Sequence, residues 1–300
     1  MATQETDQIR KNLVVLRAGG RSLHPGWLGE DRTWDLAISS YASDQAADFP
    51  EAELFDFYKG GKWDGVFRFF QQRPELLDRY DYVWLPDDDI ETTCADVNRM
   101  FALCRDHGLE LAQPALTRDS YFWHAVTLRC PLSRIRYTNF VEVMVSVLTT
   151  DVLARALPFF EHTKSGWGVD YLWCRLTSDP KRKCAILDEV TVRHTRPVGS
   201  VLAKTMQARG ESGAAEQKSL SATMDVDAAR PVCFRAITRF GFAVRGAALC
   251  GALQFLGQAP WLSRGRHERS GLRVFVGSLY SHLRFKPDLT RLGGEQGGGL

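Results

Sequence analysis

Three consecutive aspartates follow a short apolar run in the segment YDYVWLPDDDIE. Asp87, Asp88 and Asp89 come after residues with the β-branched and aromatic character of a core strand, and Pro86 ends that strand's hydrogen-bond ladder. Carboxylates this close together repel each other unless a cation or a proton relieves the repulsion. Their hard oxygen atoms suit Mg²⁺ or Mn²⁺, which can bridge the phosphates of a nucleotide. The segment therefore predicts a site for a metal ion and a diphosphate; the alternative is a solvated acidic turn that caps the next helix.

Two later segments hold further groups that could do chemistry. In SGWGVDYLW, Gly166 and Gly168 allow a tight loop around Trp167, and Asp170 follows. An aromatic face beside a carboxylate suits a sugar ring whose hydroxyl group needs a base, although the loop could equally begin a helix with its tryptophan in the core. In VTVRHTRP, His194 ends an apolar strand. An imidazole there can complete a metal shell made of carboxylates, whereas a lone histidine is more often structural.

Residues 11–196 alternate strand-like and helix-like segments, which must position these groups. Runs rich in β-branched and aromatic residues predict strands at LVVLRA, TWDLAISSY, AELFDFY, YDYVWLP, ELAQPAL, VTLRC, TNFVEVMVSV and AILDEVTVRHT. Helical spacing of apolar residues predicts helices over KWDGVFRFFQQRPELLDRY, TTCADVNRMFALCRDHGL and DVLARALPFF, and one after GWGVDYLW. The alternation predicts an α/β fold with a mostly parallel sheet flanked by helices. Ligands bind such sheets at the carboxyl ends of the strands, where we expect the aspartates.

The composition is that of an ordinary globular protein of one or two domains, with 300 residues, 44% hydrophobic and 25% charged. The start MATQETDQIRKN has no apolar signal segment, and the seven cysteines show no metal-ligand spacing. These features predict reduced thiols, no zinc site and a cytoplasmic location. The GxxxxGK[ST] and GxGxxG fingerprints are absent from the sequence, which argues against a P-loop NTPase or a standard dinucleotide enzyme.

The charge of the chain is divided unevenly. Residues 1–200 hold 24 Lys and Arg against 29 Asp and Glu, whereas residues 201–300 hold 14 against 7. The segment 204–230 is rich in alanine, serine and glycine without apolar periodicity, which predicts a linker. We therefore predict a main domain over 1–203, a linker over 204–230, and a basic, apolar, mainly helical extension over 231–300.

The extension is cationic, with no acidic residue between Asp227 and Glu268. Its uncharged stretch GAALCGALQFLGQAPWL contains glycines and a proline and falls short of the about 20 residues that span a bilayer. One interpretation is a peripheral contact with the inner face of a membrane, and the other is a helical subdomain packed on the main fold. Nucleic-acid binding is disfavoured, because the main domain is acidic and the basic part has no recognised module.

Four segments together are similar to a known family. KGGKWDGVFRFF, DYVWLPDDDIE, RYTNFVEVMV and SGWGVDYLW resemble the DUF707 family, which is regarded as glycosyltransferase-like, and the resemblance covers roughly residues 11–200. The order of an aspartate cluster after a strand, GWGVD, and a strand ending in histidine also resembles glycosyltransferases of the GT-A fold, in which a DxD motif holds a metal and a nucleotide-sugar. The resemblance implies a GT-A-like (Rossmann-like) catalytic domain over 1–203, an Mn²⁺ or Mg²⁺ cofactor, a nucleoside-diphosphate-sugar donor, and a glycan or other hydroxyl acceptor.

The same resemblance implies roles for individual residues. Asp89 and His194 would ligate the metal, with Asp87 in its water shell or near the ribose. Asp170 would occupy the acid position of the tryptophan-glycine motif and act as the general base of an inverting transfer. The positions of other residues in the sequence add nucleotide contacts. Arg17 and Gly19 or Gly20, at the end of the first strand, are predicted near the base and ribose, and Lys59 and Lys62 either add positive charge near the diphosphate or belong to a solvated loop. Asp87 and Asp88 complete the predicted nucleotide contacts. Predicted acceptor contacts are Trp167 and Glu142, although Glu142, read as part of an apolar strand, could instead be an edge residue facing solvent.

The function expected from these features is that of a metal-dependent glycosyltransferase of the hexosyltransferase type. The residues leave both retaining and inverting transfer open, and the resemblance of GWGVD to motifs of inverting galactosyltransferases favours inversion. Two other classes fit the same residues. One is a catalytically inactive protein that binds carbohydrate or nucleotide, and the other is a metal-dependent phosphohydrolase.

Overall fold

The structure is a computed structural model that describes residues 10–161, 163–197, 212–223, 230–261 and 271–292. These residues form eleven strands: β1 Asn12–Ala18, β2 Asp35–Ser40, β3 Leu54–Phe57, β4 Tyr82–Pro86, β5 Ile90–Glu91, β6 Leu111–Leu116, β7 Ser133–Thr138, β8 Val145–Thr149, β9 Cys184–His194, β10 Cys233–Thr238 and β11 Ala243–Arg245. Ten of them lie side by side in the order β11-β10-β7-β9-β6-β8-β4-β1-β2-β3, and β5 pairs with β9.

The directions of the strands confirm the α/β prediction. Strands β1 to β4 pair in parallel, and β6 pairs in parallel with β9. Strand β8 lies antiparallel to both β4 and β6, so β6 and β9 have the same direction as β1 to β4. The carboxyl ends of these six strands therefore meet at one edge of the sheet, where ligands bind in sheets of this type.

Helices flank the sheet: α1 Lys62–Gln72, α2 Leu76–Arg79, α3 Cys94–Asp106, α4 Thr150–Phe160, α5 Val169–Leu172, α6 Gly213–Thr223, α7 Ala247–Gln258 and α8 Gly271–Arg284. Alternate residues of β1 enter the two apolar layers, with Leu13 and Val15 facing one layer and Val14 and Leu16 the other. Buried side chains of α1 and α4 fill the first layer, and those of α3 fill the second. The sheet is thus covered by helices on both faces.

Three predicted elements differ from the structure. The strand predicted over VTLRC is absent, because Ala125–Thr127 form a short 3-10 helix and Leu128 forms only an isolated bridge with Leu116. The helix predicted from Lys62 to Tyr80 is divided into α1 and α2, because Pro74 cannot continue the helical hydrogen-bond pattern. The strand predicted over TNFVEVMVSV is also divided, and Glu142 lies in the connection between β7 and β8 instead of inside a strand. Phe140 and Val141 of this connection are fully buried, so their apolar character reflects core packing and not strand pairing.

The C-terminal part of the chain is joined to the main sheet. Strand β10 pairs with β7, and β11 pairs with β10. Of the predicted linker, 204–211 and 224–229 lie outside the described residues, and α6 occupies most of the part between them. The extension thus contributes two strands as well as the predicted helices. Among the described residues, every helix is too short or too polar to cross a bilayer.

Two cysteines depart from the expectation of reduced thiols. Cys174 and Cys184 form a disulfide, with their Cα atoms 5.8 Å apart. The turn after α5 ends beside the start of β9, so the two residues come within the Cα separation that a disulfide requires. The prediction of seven free thiols is therefore wrong for this pair. The other five cysteines are free and buried.

A buried ion pair links the main sheet to the C-terminal part. The guanidinium group of Arg136 on β7 donates to both carboxylate oxygens of Asp188 on β9, at 2.7 and 2.9 Å, and neither side chain is exposed. It also donates to the side chain of Gln254 on α7 at 2.9 Å. Burial alone lowers the pKa of Arg136, but Asp188 more than offsets this and raises it, so the guanidinium stays charged. This network fixes α7 against the sheet.

We expect Asp188→Asn to lower the free energy of unfolding by about 3–5 kcal/mol, because it leaves the charge of Arg136 buried without a counter-charge. Urea unfolding followed by circular dichroism measures the change. The matched control is Glu189→Gln, at the neighbouring residue that forms more exposed ion pairs with Arg99 and Arg134, and it should change the value by about 1 kcal/mol or less. Equal effects of the two substitutions would contradict a stabilising role for the buried pair.

Candidate active site

A cavity of about 790 Å³ lies at the sheet edge where the carboxyl ends of the strands meet. It brings together ten of the residues predicted from the sequence: Arg17, Lys59, Lys62, Asp87, Asp88, Asp89, Glu142, Trp167, Asp170 and His194. Gly19 does not line it, but its N–H group donates to Asp88 at 3.1 Å. Residues spread over most of the main domain thus share one cavity, whose volume is in the range of small-molecule sites.

The aspartate cluster directly follows β4, as predicted, and His194 ends β9. The antiparallel pairing of β5 with β9 sets Ile90 opposite His194, which brings this histidine next to Asp89. One ligand atom each from Asp87, Asp89 and His194 lies within 4.8 Å of the others. The cap of α3 is Thr93, whose hydroxyl accepts from the N–H of Asp96. The helix-capping alternative for the aspartates therefore does not apply to α3.

The orientation of His194 is fixed by its backbone surroundings. Its Nδ1 lies 2.8 Å from the carbonyl oxygen of Tyr121, and a carbonyl only accepts, so Nδ1 carries a hydrogen. The other nitrogen, Nε2, lies 3.3 Å from Asp89 and faces the aspartates. Burial lowers the pKa of His194, but the hydrogen bond and charge of Asp89 raise it more, to about 9. The cluster therefore attracts positive charge at Nε2, the position of a proton or of a metal ion.

Lys62 supplies a cation beside this cluster. Its ammonium group donates to Asp87 at 2.6 Å and to the carbonyl oxygen of Val143 at 2.9 Å. Two carboxylates, one imidazole and a nearby ammonium group fit a divalent cation with a diphosphate, because oxygen and imidazole ligands are those of Mn²⁺ sites and a lysine can neutralise phosphate oxygens. Lys59 also lines the cavity and is exposed.

Asp88 has a different environment from the other two aspartates. One of its oxygens accepts from the hydroxyl of Tyr41 at 2.7 Å as well as from Gly19, and the other accepts from Arg196 at 3.1 Å. Both oxygens are thus engaged by groups of the protein. A Cβ atom at Gly19 would lie 2.3 Å from the Tyr41 hydroxyl oxygen, so a larger residue there would displace the Tyr41 side chain from this position. Asp88 therefore connects the loops after β1 and β2 to the end of β9.

Arg17 organises the neighbouring loop after β3. Its guanidinium group donates to the hydroxyl and carbonyl oxygens of Ser39 at 2.8 and 3.1 Å, and to the carbonyl oxygens of Tyr58 and Gly60 at 2.7 and 3.0 Å. Its carbon Cζ also lies 5.8 Å from the ring of Tyr41 and 5.5 Å from that of Tyr58. Arg17 is therefore placed to hold the wall of the cavity near these two tyrosines.

The loop SGWGVD depends on its glycines. Gly166 has φ of 74°, and a Cβ atom there would lie 2.2 Å from Nε1 of the buried Trp63, so no other residue fits without displacement. Gly168, with φ of 100°, donates its N–H to Asp170 at 3.1 Å. Asp170 is buried at the start of α5 and lines the cavity. Burial raises the pKa of Asp170 to about 7, while the backbone hydrogen bonds oppose the rise.

Glu142 is a second buried carboxyl group of the same cavity, with an exposure of 4%. The alternative of an edge residue facing solvent is therefore excluded. Burial and the nearby charge of Asp170 raise the pKa of Glu142 to about 8. Its Oε2 atom has no hydrogen-bond partner among the described residues. Both carboxyl groups thus hold a proton more tightly than exposed carboxyl groups do, and near neutral pH the pair can supply one proton acceptor and one hydrogen-bond donor.

Glu216 contacts the SGWGVD loop and was not predicted from the sequence. The carboxylate of Glu216 on α6 accepts from the hydroxyl of Ser165 at 2.6 Å, from the N–H of Ser165 at 3.0 Å, and from the hydroxyl of Thr163 at 2.9 Å. On the same helix, Gln217 lines the cavity. Glu216 lies in the predicted linker, and no apolar periodicity marks α6 as a packed helix, so no pattern in the sequence predicts this contact.

Aromatic side chains of the cavity were also missed. Tyr41 and Tyr58 follow β2 and β3, and Trp123 and His124 follow β6. The available signal was position, because each of them comes shortly after a strand whose carboxyl end lies at this edge. Polar or aromatic residues at these strand ends were therefore candidates on topology alone.

Comparisons with known proteins bear on part of the chain. The family model described as protein of unknown function (DUF707) matches residues 56–138, which is less than half of the chain. The match includes the aspartate cluster and stops before SGWGVD, so the resemblance is confirmed over a shorter range than 11–200. No curated protein sequence matches the chain significantly.

Several solved structures are similar in chain trace. One is a candidate nucleotide-diphospho-sugar transferase from Desulfovibrio desulfuricans G20, with 15% identity and a TM-score of 0.36, over 71% of this chain and 96% of that one. Another is GalNAc-T7 with UDP, GalNAc and Mn²⁺, with 9% identity and a TM-score of 0.46, over 72% and 48%. A third is a mycobacterial protein, with 14% identity and a TM-score of 0.39, over 67% and 72%. At these values the similarity concerns general architecture only.

Proposed function

We propose that the protein is a metal-dependent glycosyltransferase that moves a sugar from a nucleoside-diphosphate-sugar to a hydroxyl acceptor. The observation that carries the proposal is the joint location of the cluster of Asp87, Asp89 and His194 with the buried carboxyl groups of Asp170 and Glu142 in one cavity. The first group of residues suits a diphosphate with a divalent cation, and the second suits proton transfer at a hydroxyl group.

The donor side of the cavity is assigned to the loops after β1 to β4. Arg17, Tyr41 and Tyr58 would face the nucleoside, and Lys59 and Lys62 would neutralise diphosphate oxygens. Asp88 would keep these loops in position through its bonds to Gly19, Tyr41 and Arg196. Mn²⁺ or Mg²⁺, held by Asp87, Asp89 and His194, would supply Lewis-acid stabilisation of the negative charge on the leaving diphosphate.

The acceptor side is assigned to Trp167, Asp170 and Glu142. In an inverting transfer, the ionised Asp170 takes the proton of the acceptor hydroxyl while that oxygen forms a bond to the anomeric carbon. The bond from the anomeric carbon to the diphosphate oxygen breaks at the same time, and its electron pair leaves with the diphosphate. The protonated Glu142 would donate a hydrogen bond to the acceptor sugar. The buried, loop-fixed carboxylate of Asp170 supports inversion, because a retaining transfer needs no base at that place.

Release of nucleoside diphosphate from a panel of nucleotide-sugars tests this function. The assay is carried out with Mn²⁺ and with EDTA, and thermal shift identifies the nucleotide that raises the melting temperature. Slow metal-dependent hydrolysis that accelerates with an acceptor supports a transferase. Rapid hydrolysis that no acceptor accelerates would indicate a phosphohydrolase, and binding without turnover would indicate a binding protein.

The membrane contact expected of the extension stays a proposal, and exposed apolar side chains support it. Large apolar residues of this part are 48–76% exposed: Phe240, Phe242, Leu249, Leu256, Leu272, Val276, Tyr280 and Leu283. The four of these residues that belong to α8 lie on one face of the helix, beside Arg273 and Arg284. We expect the full chain to cosediment with vesicles containing anionic lipids at low salt, and to remain in solution with neutral vesicles. Equal behaviour with both vesicle types would exclude an electrostatic contact.

A further inference from the structure

A second cavity, of about 890 Å³, adjoins the candidate active site. The two cavities share Trp123 and His124 in their walls. Beyond these residues, the second cavity is lined by Pro231 at the start of the C-terminal part and by Arg273, Ser278 and Ser281 of α8. Space suited to a ligand thus continues past the acceptor carboxyl groups towards the C-terminal helices.

We propose that this second cavity binds the part of the acceptor beyond the reacting sugar, and that the acceptor is an anionic oligosaccharide. The proposal rests on the glycosyl transfer proposed above and adds the chemical class of the acceptor. It also gives the C-terminal part of the chain a role in substrate recognition.

The wall that the two cavities share makes them continuous. His124 packs edge-on against Tyr171 with ring centroids 6.0 Å apart, and its Nε2 lies 3.1 Å from the Tyr171 hydroxyl oxygen. Tyr171 directly follows Asp170, so this wall starts beside the proposed base. A chain of sugars whose terminal hydroxyl reaches Asp170 would therefore have its next units alongside Trp123 and His124.

Trp123 provides a surface for stacking. Its side chain is 41% exposed, although it lines both cavities. Its ring lies 6.1 Å from that of Trp167, at an interplanar angle of 43°. Two large aromatic side chains thus follow each other from the first cavity to the second. Sugar rings present apolar C–H faces to such side chains, whereas a small hydroxyl acceptor needs no second tryptophan.

The two cavities differ in charge. The candidate active site is lined by carboxyl groups as well as by basic side chains such as Lys62, whereas Arg273 is the charged residue among the described residues that line the second cavity. No ion pair joins Arg273 to another described residue, and Arg273 is exposed at the wall of this cavity, so its guanidinium group can reach a ligand there. A guanidinium group binds a carboxylate with two parallel hydrogen bonds, which favours a uronic-acid unit or a similar anionic sugar.

Calorimetry with defined oligosaccharides tests the proposal. The probes are tetragalacturonate and tetramannuronate, their methyl esters, which have the same sugars without the charge, and the two monomers. We expect at least one acidic tetramer to bind about tenfold more tightly than its ester and its monomer. Arg273→Gln should remove the preference over the ester, and Trp123→Ala should weaken acid and ester alike. The control is Arg284→Gln, on the same helix but outside the cavity lining, which should leave all affinities unchanged.

Binding of a nucleoside diphosphate with Mn²⁺, measured on the same samples, separates this proposal from the proposed function. Nucleotide binding without a preference for either acidic tetramer would overturn the acceptor assignment and leave the transferase standing. An Arg273-dependent preference without nucleotide binding would keep the carbohydrate site and reject glycosyl transfer. A preference that Arg273→Gln and Arg284→Gln reduce equally would place the anion elsewhere on the basic surface.

Discussion

Asp89→Asn is expected to lower the affinity for UDP or GDP in the presence of Mn²⁺ by a factor of about 100 or more, because it removes a charged ligand from the proposed metal site. The substitution keeps the size of the side chain. The backbone carbonyl oxygen of Asp89, which accepts from the N–H and the hydroxyl of Thr195 at 3.1 and 2.8 Å, remains in place. The expected loss is therefore one of metal and nucleotide binding, with the fold retained. Isothermal titration calorimetry with Mn²⁺ and with EDTA measures it.

The matched control for this experiment is Glu91→Gln, two residues along the same chain segment. Glu91 is exposed and forms an ion pair with Arg193 at 3.1 Å, away from the cavity lining. Its loss should leave nucleotide affinity within about twofold, since exposed pairs contribute little. The unmodified protein is also measured in EDTA. If its nucleotide affinity is the same in EDTA as in Mn²⁺, the aspartate cluster binds nucleotide without a metal or does not bind it.

The predicted location of the aspartate cluster was correct because its signals are local. An apolar strand, a proline and three carboxylates in sequence fix the place of Asp87 and Asp89 at a strand end. In a parallel sheet the carboxyl ends of the strands meet at one edge, so the aspartates lie beside the ends of the other parallel strands. The pairing of β5 with β9, which sets His194 beside Asp89, joins residues about a hundred positions apart. The residue type and strand-end position of His194 made it a candidate metal ligand, and the resemblance to a known family favoured this role over a structural one.

The connection that carries Glu142, and the contacts of Glu216, show why the rest could not be predicted. An apolar run such as NFVEVMV is compatible with a strand and with a buried connection, and packing in the core determines which of the two forms. The contacts of Glu216 join a carboxylate to the loop around Ser165, with no periodic pattern to reveal them. Strand β10 was missed for a related reason, since its partner β7 is almost a hundred residues away and the composition of the extension suggested helices.

Asp170→Asn is expected to lower turnover by a factor of about 10² to 10⁴ while nucleotide affinity stays within about twofold. An amide oxygen can still accept the N–H of Gly168, so the loop should keep its shape, but an amide cannot take a proton from the acceptor. Single-turnover release of nucleoside diphosphate measures the step, with water or an oligosaccharide as acceptor. A nearly unchanged rate with intact nucleotide binding would indicate a retaining mechanism or a different base.

The pH dependence gives an independent test of the same role. Burial raises the pKa of Asp170 to about 7, so the carboxylate needed as a base is lost as the pH falls through that value. We expect the rate of the unmodified protein to fall about tenfold per pH unit below about 7 and to level off above it. Asp170→Asn should remove this dependence, because its side chain does not titrate. If the variant keeps the same acid limb, another group controls the reaction, and Glu142, whose pKa is raised to about 8, is the next to be replaced.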